Sequence, residues 1–565
     1  MDANDLAAQQ LQKLQGDLPN KRVLIVDRHP EARNSLRMML STLGITTVHG
    51  AGSSIEVLRQ VKSNHYDIIF SDYLLDDGRD GQQLLEELRY KQLISLSTVF
   101  MVITAERSYK NVVSVAELIP DDYLIKPFTG DQLQQRLGRA LFKKHIFFRA
   151  YQHMEKARFD QALESCNHIA EQFPAFQQEA QRLRCELLNS LGRYTEAESA
   201  YRQLLADKDL PWARMGLAVA LHGQGQLGEA LPLVQDLVKN FPEYLAAYDF
   251  LARLQEESGL AQEAQHTLQE AAVISPNNTL RQRSVGDMAI RNNDLEVAEK
   301  AFQTVLTRGQ GSSLRTVDDY ANLSRVLMER GNTQGVRRIA QDLRRDWRGN
   351  KQGEMASLIL ESLALAKEGE KTKSTKSLEQ ALALHQSLQE ASQSDGNANL
   401  SQKLAVDLAQ ACMANGQAEE GEKLMRQVAA ENNEDRSILA HIQGVFAKNG
   451  NPEAGQALLD DVNREIVEIN NQGVTAARTG DLEGSVDMLV EAAERVPNLQ
   501  FLINAADAIY SLMDAKGWKE ELAAKAHTYL EKARAKNPQD PRVITARQLY
   551  QRVAAKYGIN TDILV

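Results

Sequence analysis

RVLIVDRHP (residues 22–30) decides how the first part of the chain folds. Four consecutive Val, Leu and Ile residues suit a strand buried on both faces, the pattern of a parallel sheet with helices on either side. The run stops at Asp27, and in such a sheet functional residues collect in the crevice beyond the carboxyl ends of the strands. Arg28 then places a cation beside that acid.

Three further runs have the same character: DIIFS (67–71), TVFMVIT (98–104) and DYLIK (122–126). Helical segments lie among them, EARNSLRMMLSTLG (31–44) and GQQLLEELRYKQL (81–93), so the pattern is βαβ with right-handed crossovers. Asp27, Asp72, Thr104 and Lys126 each fall at a strand end. Together they offer a carboxylate to accept a phosphoryl group, a second acid to help hold a divalent cation, and a hydroxyl and an ammonium to meet phosphoryl oxygens. Phosphoryl transfer depends mainly on positioning and charge neutralisation, so so small a set is sufficient.

FSDYLLDDGRDG (70–81), VITAE (102–106) and YLIKPF (123–128) follow in order, and with them residues 21–140 resemble a response-regulator receiver domain. The resemblance implies a doubly wound, five-stranded parallel α/β domain of the flavodoxin-like kind. It implies Asp72 as phosphoacceptor, Thr104 and Lys126 as phosphoryl ligands and Tyr123 as switch aromatic. Mg2+ would be held by Asp27, Asp72 and the Leu74 backbone carbonyl, and the phosphoryl donor would be a sensor histidine kinase or phosphotransfer protein. Two departures stand out. Asp76 replaces the proline common in the acceptor loop, and Arg28 replaces an acid that usually touches magnesium, which weakens an oxygen-ligand site. Arg28 could point to solvent and leave phosphorylation intact at lower metal affinity. It could pair with Asp72 in a receiver that signals without phosphate. A third course is phosphate chemistry without metal.

The rest of the chain is decided by period. Turn-forming or small residues recur at Ala157, Gly192, Gly225, Gly259 and Asn293, at spacings of 35, 33, 34 and 34. Five residues after each comes an alanine: Ala162, Ala197, Ala230, Ala264, Ala298. Apolar residues follow at offsets nine and twelve, on one helical face. Pro174, Pro242 and Pro276 close three of the second helices. This pattern resembles the tetratricopeptide repeat (TPR). It loosens through Gly331, Gly369, Gly416, Gly450, Gly480 and Gly517, and about eleven hairpins with atypical ends are expected in an all-α superhelical solenoid. GEKTKSTK (369–376) and EASQSDGNANLS (390–401) are expected to lengthen a hairpin or mark a soft break.

The expected organisation is a polar leader (1–20), the receiver (21–142), regular repeats (143–310), degenerate helical repeats with polar loops (311–400), and repeats with a C-terminal cap (401–565). DQLQQRLGRALFKKHIFFRAYQHMEK (131–156) contains no proline and one glycine, so the receiver's last helix could run directly into the first repeat, the alternative being an ordinary break near Lys143–His145. Inner-face positions ten, six and three places before each turn give Arg182, Glu186, Asn189; Met215, Val219, His222; Asp249, Arg253, Glu256; and Arg283, Asp287, Ile290, suited to a polar peptide or protein partner.

Several classes are disfavoured. A net charge of −11 argues against a nucleic-acid surface over the whole molecule, and three cysteines in 565 residues suit a reducing cytoplasm. No apolar run reaches the roughly 20 residues that span a bilayer, so no membrane insertion is expected. GQGQLG (223–228) lies between two repeat helices and not after a strand, so it is no dinucleotide site. RRIAQDLRRDWR (337–348) reads as a solvated helix face, the alternative being a nucleic-acid contact. No Ser/His/Asp or Cys/His arrangement points to an enzyme. The leading expectation is a response regulator whose receiver switches protein binding by a TPR scaffold. A phosphorylation-independent scaffold is the rival, and a homodimer is compatible with the array ends.

Overall fold

The computed structural model describes residues 18–559 apart from 74, 76–80, 105–119, 277, 309–314, 396–399 and 538–539. It divides into two compact units, Met1–Val297 with Thr304–Arg315, and Ala298–Gln303 with Thr316–Val565.

The first unit opens with a five-stranded parallel sheet in the order β2-β1-β3-β4-β5. Its strands are β1 Arg22–Val26, β2 Thr47–Ala51, β3 Ile68–Asp72, β4 Val99–Thr104 and β5 Asp122–Ile125. Helices α1 Pro30–Thr42, α2 Ser54–Ser63 and α3 Gly81–Tyr90 cover it. Alternate residues of one strand serve opposite cores, as the two-residue period of a strand requires. Val23, Ile25 and Phe70 pack with α1 on one face, while Leu24, Val26 and Ile69 pack with α2 and α3 on the other. β2 is the strand that no apolar run announces. TVHGA carries a histidine and a glycine, and as the edge strand it is largely half-exposed.

α4 Gly130–Glu155 is one helix of 26 residues, started by a reciprocal cap between Thr129 and Gln132. Position 142–143 lies within it, so the sheet domain and the first repeat share a helix. Its second half enters a core with the next hairpin, where Ile146, Phe147 and Ala150 meet Cys166, Ile169 and Ala180.

The hairpins continue with α5 Phe159–Gln172, α6 Gln177–Ser190, α7 Tyr194–Asp207, α8 Pro211–Gly223, α9 Leu227–Asn240, α10 Leu245–Glu257, α11 Ala261–Ile274 and α12 Thr279–Arg291. α13 Leu295–Arg308 spans the division between the units. The second unit holds α14 Val317–Glu329, α15 Thr333–Asp346, α16 Lys351–Lys367, α17 Lys371–Asp395, α18 Gln402–Ala414, α19 Ala418–Glu431, α20 Arg436–Lys448, α21 Pro452–Arg478, α22 Leu482–Arg495, α23 Leu499–Lys516, α24 Glu520–Lys536 and α25 Pro541–Lys556.

Every turn residue of the sequence series has positive φ, from Ala157 (52°) and Asn293 (58°) to Gly416 (85°) and Gly517 (109°). In most of these turns the chain leaves one helix through a left-handed residue and enters the next a few residues on, the role for which glycine is favoured. GEKTKSTK lengthens its hairpin and marks no break, the first of the two expectations, since α17 runs for 25 residues. It opens α17 and does not interrupt it, because after Gly369 there is no helix breaker and the Ser374 hydroxyl is buried against Ser362, donating to its carbonyl at 2.9 Å.

Candidate functional site

β1, β3, β4 and β5 end side by side, and their register brings Asp27, Asp72, Thr104 and Lys126 to one edge of the sheet. The Lys126 ammonium is the hub, 2.8 Å from Asp72 Oδ1 and 3.1 Å from Asp27 Oδ2. The Asp27 carboxylate also accepts from the His29 amide at 2.8 Å, and its carbonyl accepts from Arg33 at 2.5 Å. Thr104 is buried, and its carbonyl accepts from the Lys126 amide at 2.7 Å, which locks the two ligand-bearing strand ends together. Tyr123 is half-buried against the core on the α2–α3 side, its hydroxyl out of solvent.

One ammonium shared between two carboxylates explains the electrostatics. Burial pushes the Asp72 carboxyl above its ordinary value; the Lys126 ammonium pulls it down, and Asp27 pushes it up. Burial acts against the Lys126 charge, but hydrogen bonds to both acids outweigh this and hold the ammonium above its usual range. Lys126 gains two partners where each acid gains a share of one.

Arg28 is exposed, and its Nε–H donates to His29 Nε2 at 2.9 Å. Of the placements left open by the sequence, Arg28 takes the one toward solvent and forms no pair with Asp72; Lys126, reaching over from the end of β5, holds that place. The Leu74 carbonyl and Asp76 lie outside the described residues.

Among the described residues, two carboxylates, Asp27 and Asp72, are available to a cation here. Mg2+ keeps much of its water and needs few protein oxygens, so this donor set fits it, with the Lys126 charge between the acids opposing binding. Among the described residues no group of three or more His, Cys, Asp or Glu side chains is placed to hold a metal.

Two site features escape the sequence reading. Gly81 packs so closely under the acceptor strand that a Cβ there would lie 2.6 Å from the Asp72 carbonyl and 2.9 Å from Ser71 Oγ. A glycine within a loop rich in aspartate and glycine gives no hint of that contact. Arg281, only 4% exposed, forks onto Asp249 at 3.0 and 2.6 Å, two positions from the Arg283 chosen by the period.

Several of the remaining inner-face candidates are engaged by neighbouring side chains or backbone. Arg182 pairs with Glu186 at 2.7 Å and lies over the Trp212 ring, 5.6 Å from its centre. Asn189 donates to the Gly216 carbonyl at 2.8 Å. His222 contacts Glu257 at 2.6 Å and the edge of Phe250, over which Arg253 sits. Glu256 pairs with Arg291. Met215, Val219, Arg283 and Asp287 are half-buried, and Ile290 is exposed.

In the second unit the first helices of the hairpins meet directly. Arg325 on α14 forks onto buried Asp407 on α18 at 2.9 and 2.6 Å, His441 on α20 lies 3.5 Å from the same acid, and Lys448 pairs with Glu329. In the arginine-rich segment, Arg337 reaches Glu368, Arg344 reaches Glu361, and Arg345 reaches both Asp342 and Asp346. Three of its five arginines are thus neutralised by acids of the same unit. GQGQLG spans the end of α8, a turn with Gly225 at φ 75° and the start of α9, and Cys166, Cys185 and Cys412 are buried and free.

The strand ends, their acid pair and the bridging lysine define a receiver domain on a helical-repeat scaffold. Comparison with known families places a response regulator receiver domain at residues 23–138 and a tetratricopeptide repeat at 188–254. The chain is 28% identical over 120 residues to chemotaxis protein CheY-3 of Vibrio cholerae, covering 21% of this chain and 91% of the relative. It is 28% identical over 118 residues to chemotaxis protein CheY of Pseudomonas aeruginosa, covering 21% and 94%. Similar solved structures include a tetratricopeptide repeat protein from Parabacteroides merdae, with TM-score 0.32 and 14% identity, covering 54% of this chain and 98% of that one. Another is the C-terminal part of a TPR repeat-containing protein from Cytophaga hutchinsonii, with TM-score 0.32 and 9% identity over 46% and 99%. The chain is therefore response-regulator-like, with a TPR protein-interaction module; neither family is enzymatic. No helix among the described residues is long and apolar enough to cross a membrane.

Proposed function

We propose that Asp72 accepts a phosphoryl group from a histidine kinase or phosphotransfer protein and that this controls protein binding by the repeat array. The observation that carries the reading is the Lys126 ammonium, within hydrogen-bond reach of both Asp72 and Asp27. An Asp72 oxygen attacks phosphorus, a carboxylate O–P bond forms, and the donor leaves with the electrons of its own bond to phosphorus. Lys126 and Thr104 stand beside the incoming phosphoryl oxygens, and when Lys126 turns to them it also releases Asp27. Asp27 and Asp72 would hold Mg2+, which when bound neutralises phosphoryl charge.

Arg28 modifies this site from outside it, since its guanidinium is engaged with His29. The array's partner would meet the first unit, whose inner face keeps Met215, Val219 and Ile290 accessible. In the second unit Arg325, Asp407 and His441 fill the corresponding face with their own contacts. The rival, a scaffold that signals without phosphate, draws support from the same lysine, which offsets part of the acids' charge without metal.

Acetyl phosphate with and without magnesium, read by intact mass on the wild type, Asp72→Ala and Arg28→Asp, tests the reading. A phosphoryl adduct on the wild type, lost in Asp72→Ala, is expected. An adduct seen on Arg28→Asp alone would assign the wild type to the phosphate-independent class.

A further inference from the structure

At the pole of the sheet opposite Asp72, the junction with the first repeat holds four charged side chains that the reading above leaves unused. Lys144, in the middle of α4 and 8% exposed, lies 3.0 Å from Asp121 Oδ1 and donates to the Leu96 carbonyl at 2.8 Å. Asp121 Oδ2 accepts from the Phe100 amide at 2.8 Å. Because Asp121 directly precedes β5 and Phe100 lies at the start of β4, this one carboxylate ties both strands to α4. Near the end of the helix, Glu155 accepts from the Ser95 hydroxyl at 2.8 Å and the Leu96 amide at 2.6 Å. Arg89 on α3 completes the cluster, donating to the Ser95 carbonyl and, at 3.1 Å, to that of Thr98.

The cluster continues into the repeats. The Lys144 ammonium lies 5.1 Å from the centre of the Tyr151 ring. Tyr151 stacks on Phe147 at 5.9 Å, and Phe147 meets the edge of Phe176, just before α6, at 6.2 Å. Two cations and two carboxylates thus close one seam between the sheet and the first hairpin. Removing one partner of a buried pair leaves the other charge uncompensated, so the seam resists partial opening.

β4 and β5 are the strands whose far ends present Thr104 and Lys126. At ~3.3 Å per residue, the six residues of β4 span about 20 Å between seam and site. We infer that Lys144, Asp121, Glu155 and Arg89 form the joint through which displacement of β4 and β5 at the acceptor site reaches the repeat array. They are positioning residues and touch no phosphoryl group. The joint sets the orientation of the first hairpin whether or not Asp72 carries phosphate; its use as a relay rests on the phosphorylation reading.

The test uses the full chain with spin labels at Lys62→Cys and Lys239→Cys, both exposed, the native cysteines being buried. Distance distributions are measured with and without acetyl phosphate in the wild type, in Glu155→Ala, which removes the oxygen that accepts both bonds, and in Lys144→Met/Glu155→Ala. Glu155 is exposed, so Glu155→Ala keeps the fold even where the double variant does not. A narrow wild-type peak that broadens in both variants, together with a phosphate-induced shift that is lost in them, supports the joint. Variants as narrow as the wild type, or a phosphate-induced shift that survives in them, overturn it, since the continuous helix and the aromatic contacts would then be sufficient. If intact mass shows no adduct on the wild type, the phosphorylation reading fails, and the unphosphorylated distributions still decide the joint.

Discussion

At the scale of single residues, burial without a counter-charge is the strongest handle on stability. Asp507 on α23 lies mostly out of water, one of its carboxylate oxygens has no hydrogen-bond partner among the described residues, and burial pushes its carboxyl up to about 6. A folded pKa above the unfolded one means that the native state binds the proton more tightly. The stability this lends is complete below the unfolded value of about 4 and is lost as pH rises toward about 6. Asp507→Asn is therefore expected to raise unfolding stability by about 1–2 kcal/mol at pH 7.5 and to change little below pH 4. Urea titration at the two pH values checks this, and an equal effect at both would show that charge is not the cause. Asp72 shifts in the same direction, so acetyl phosphate labelling should rise with pH through a midpoint above the ordinary carboxyl value of 3.8. Labelling rates across a pH series give that midpoint.

At the scale of elements, close approaches and left-handed turns bear most directly on substitution. Gly81→Ala must push its Cβ away from the Asp72 carbonyl, and overpacking of this kind costs about 1–3 kcal/mol. It should slow labelling of Asp72 more than it lowers the melting temperature, which parallel labelling and thermal scans would separate. Asn293 and Gly225 occupy equivalent turns with φ 58° and 75°. Gly225→Ala is expected to destabilise the first unit by about 1 kcal/mol, and Asn293→Gly to be close to neutral. Thermal denaturation of both checks the pair, and equal losses would contradict the assigned backbone.

This scale also separates what is legible in the sequence from what is not. The turn series is legible because a left-handed residue between helices restricts the residue type. Asp27, Asp72, Thr104 and Lys126 are legible because buried parallel strands announce themselves and then stop at a polar residue. β2 is hidden because an edge strand can carry His49 and Gly50 without cost to a buried face. The direction of Arg28, the fork of Arg281 onto Asp249 and the seam at Lys144 are hidden for another reason. Each depends on which distant residue arrives opposite, and no local pattern encodes that.

At the scale of the whole molecule, the arrangement makes one physical claim. The candidate acceptor site lies at the carboxyl ends of β4 and β5, and the first repeat grips their amino ends through a helix shared with the sheet. Under the proposed function, chemistry at Asp72 would reach the repeats through packed strands and not through a free linker. Hydrogen exchange on the full chain, before and after acetyl phosphate, tests this most directly, with intact mass verifying the adduct. The account predicts altered protection in residues 95–104 and 121–155 and in the first hairpin of the wild type, and none in Asp72→Ala. A stoichiometric adduct on the wild type with unchanged exchange throughout 121–190 would contradict it.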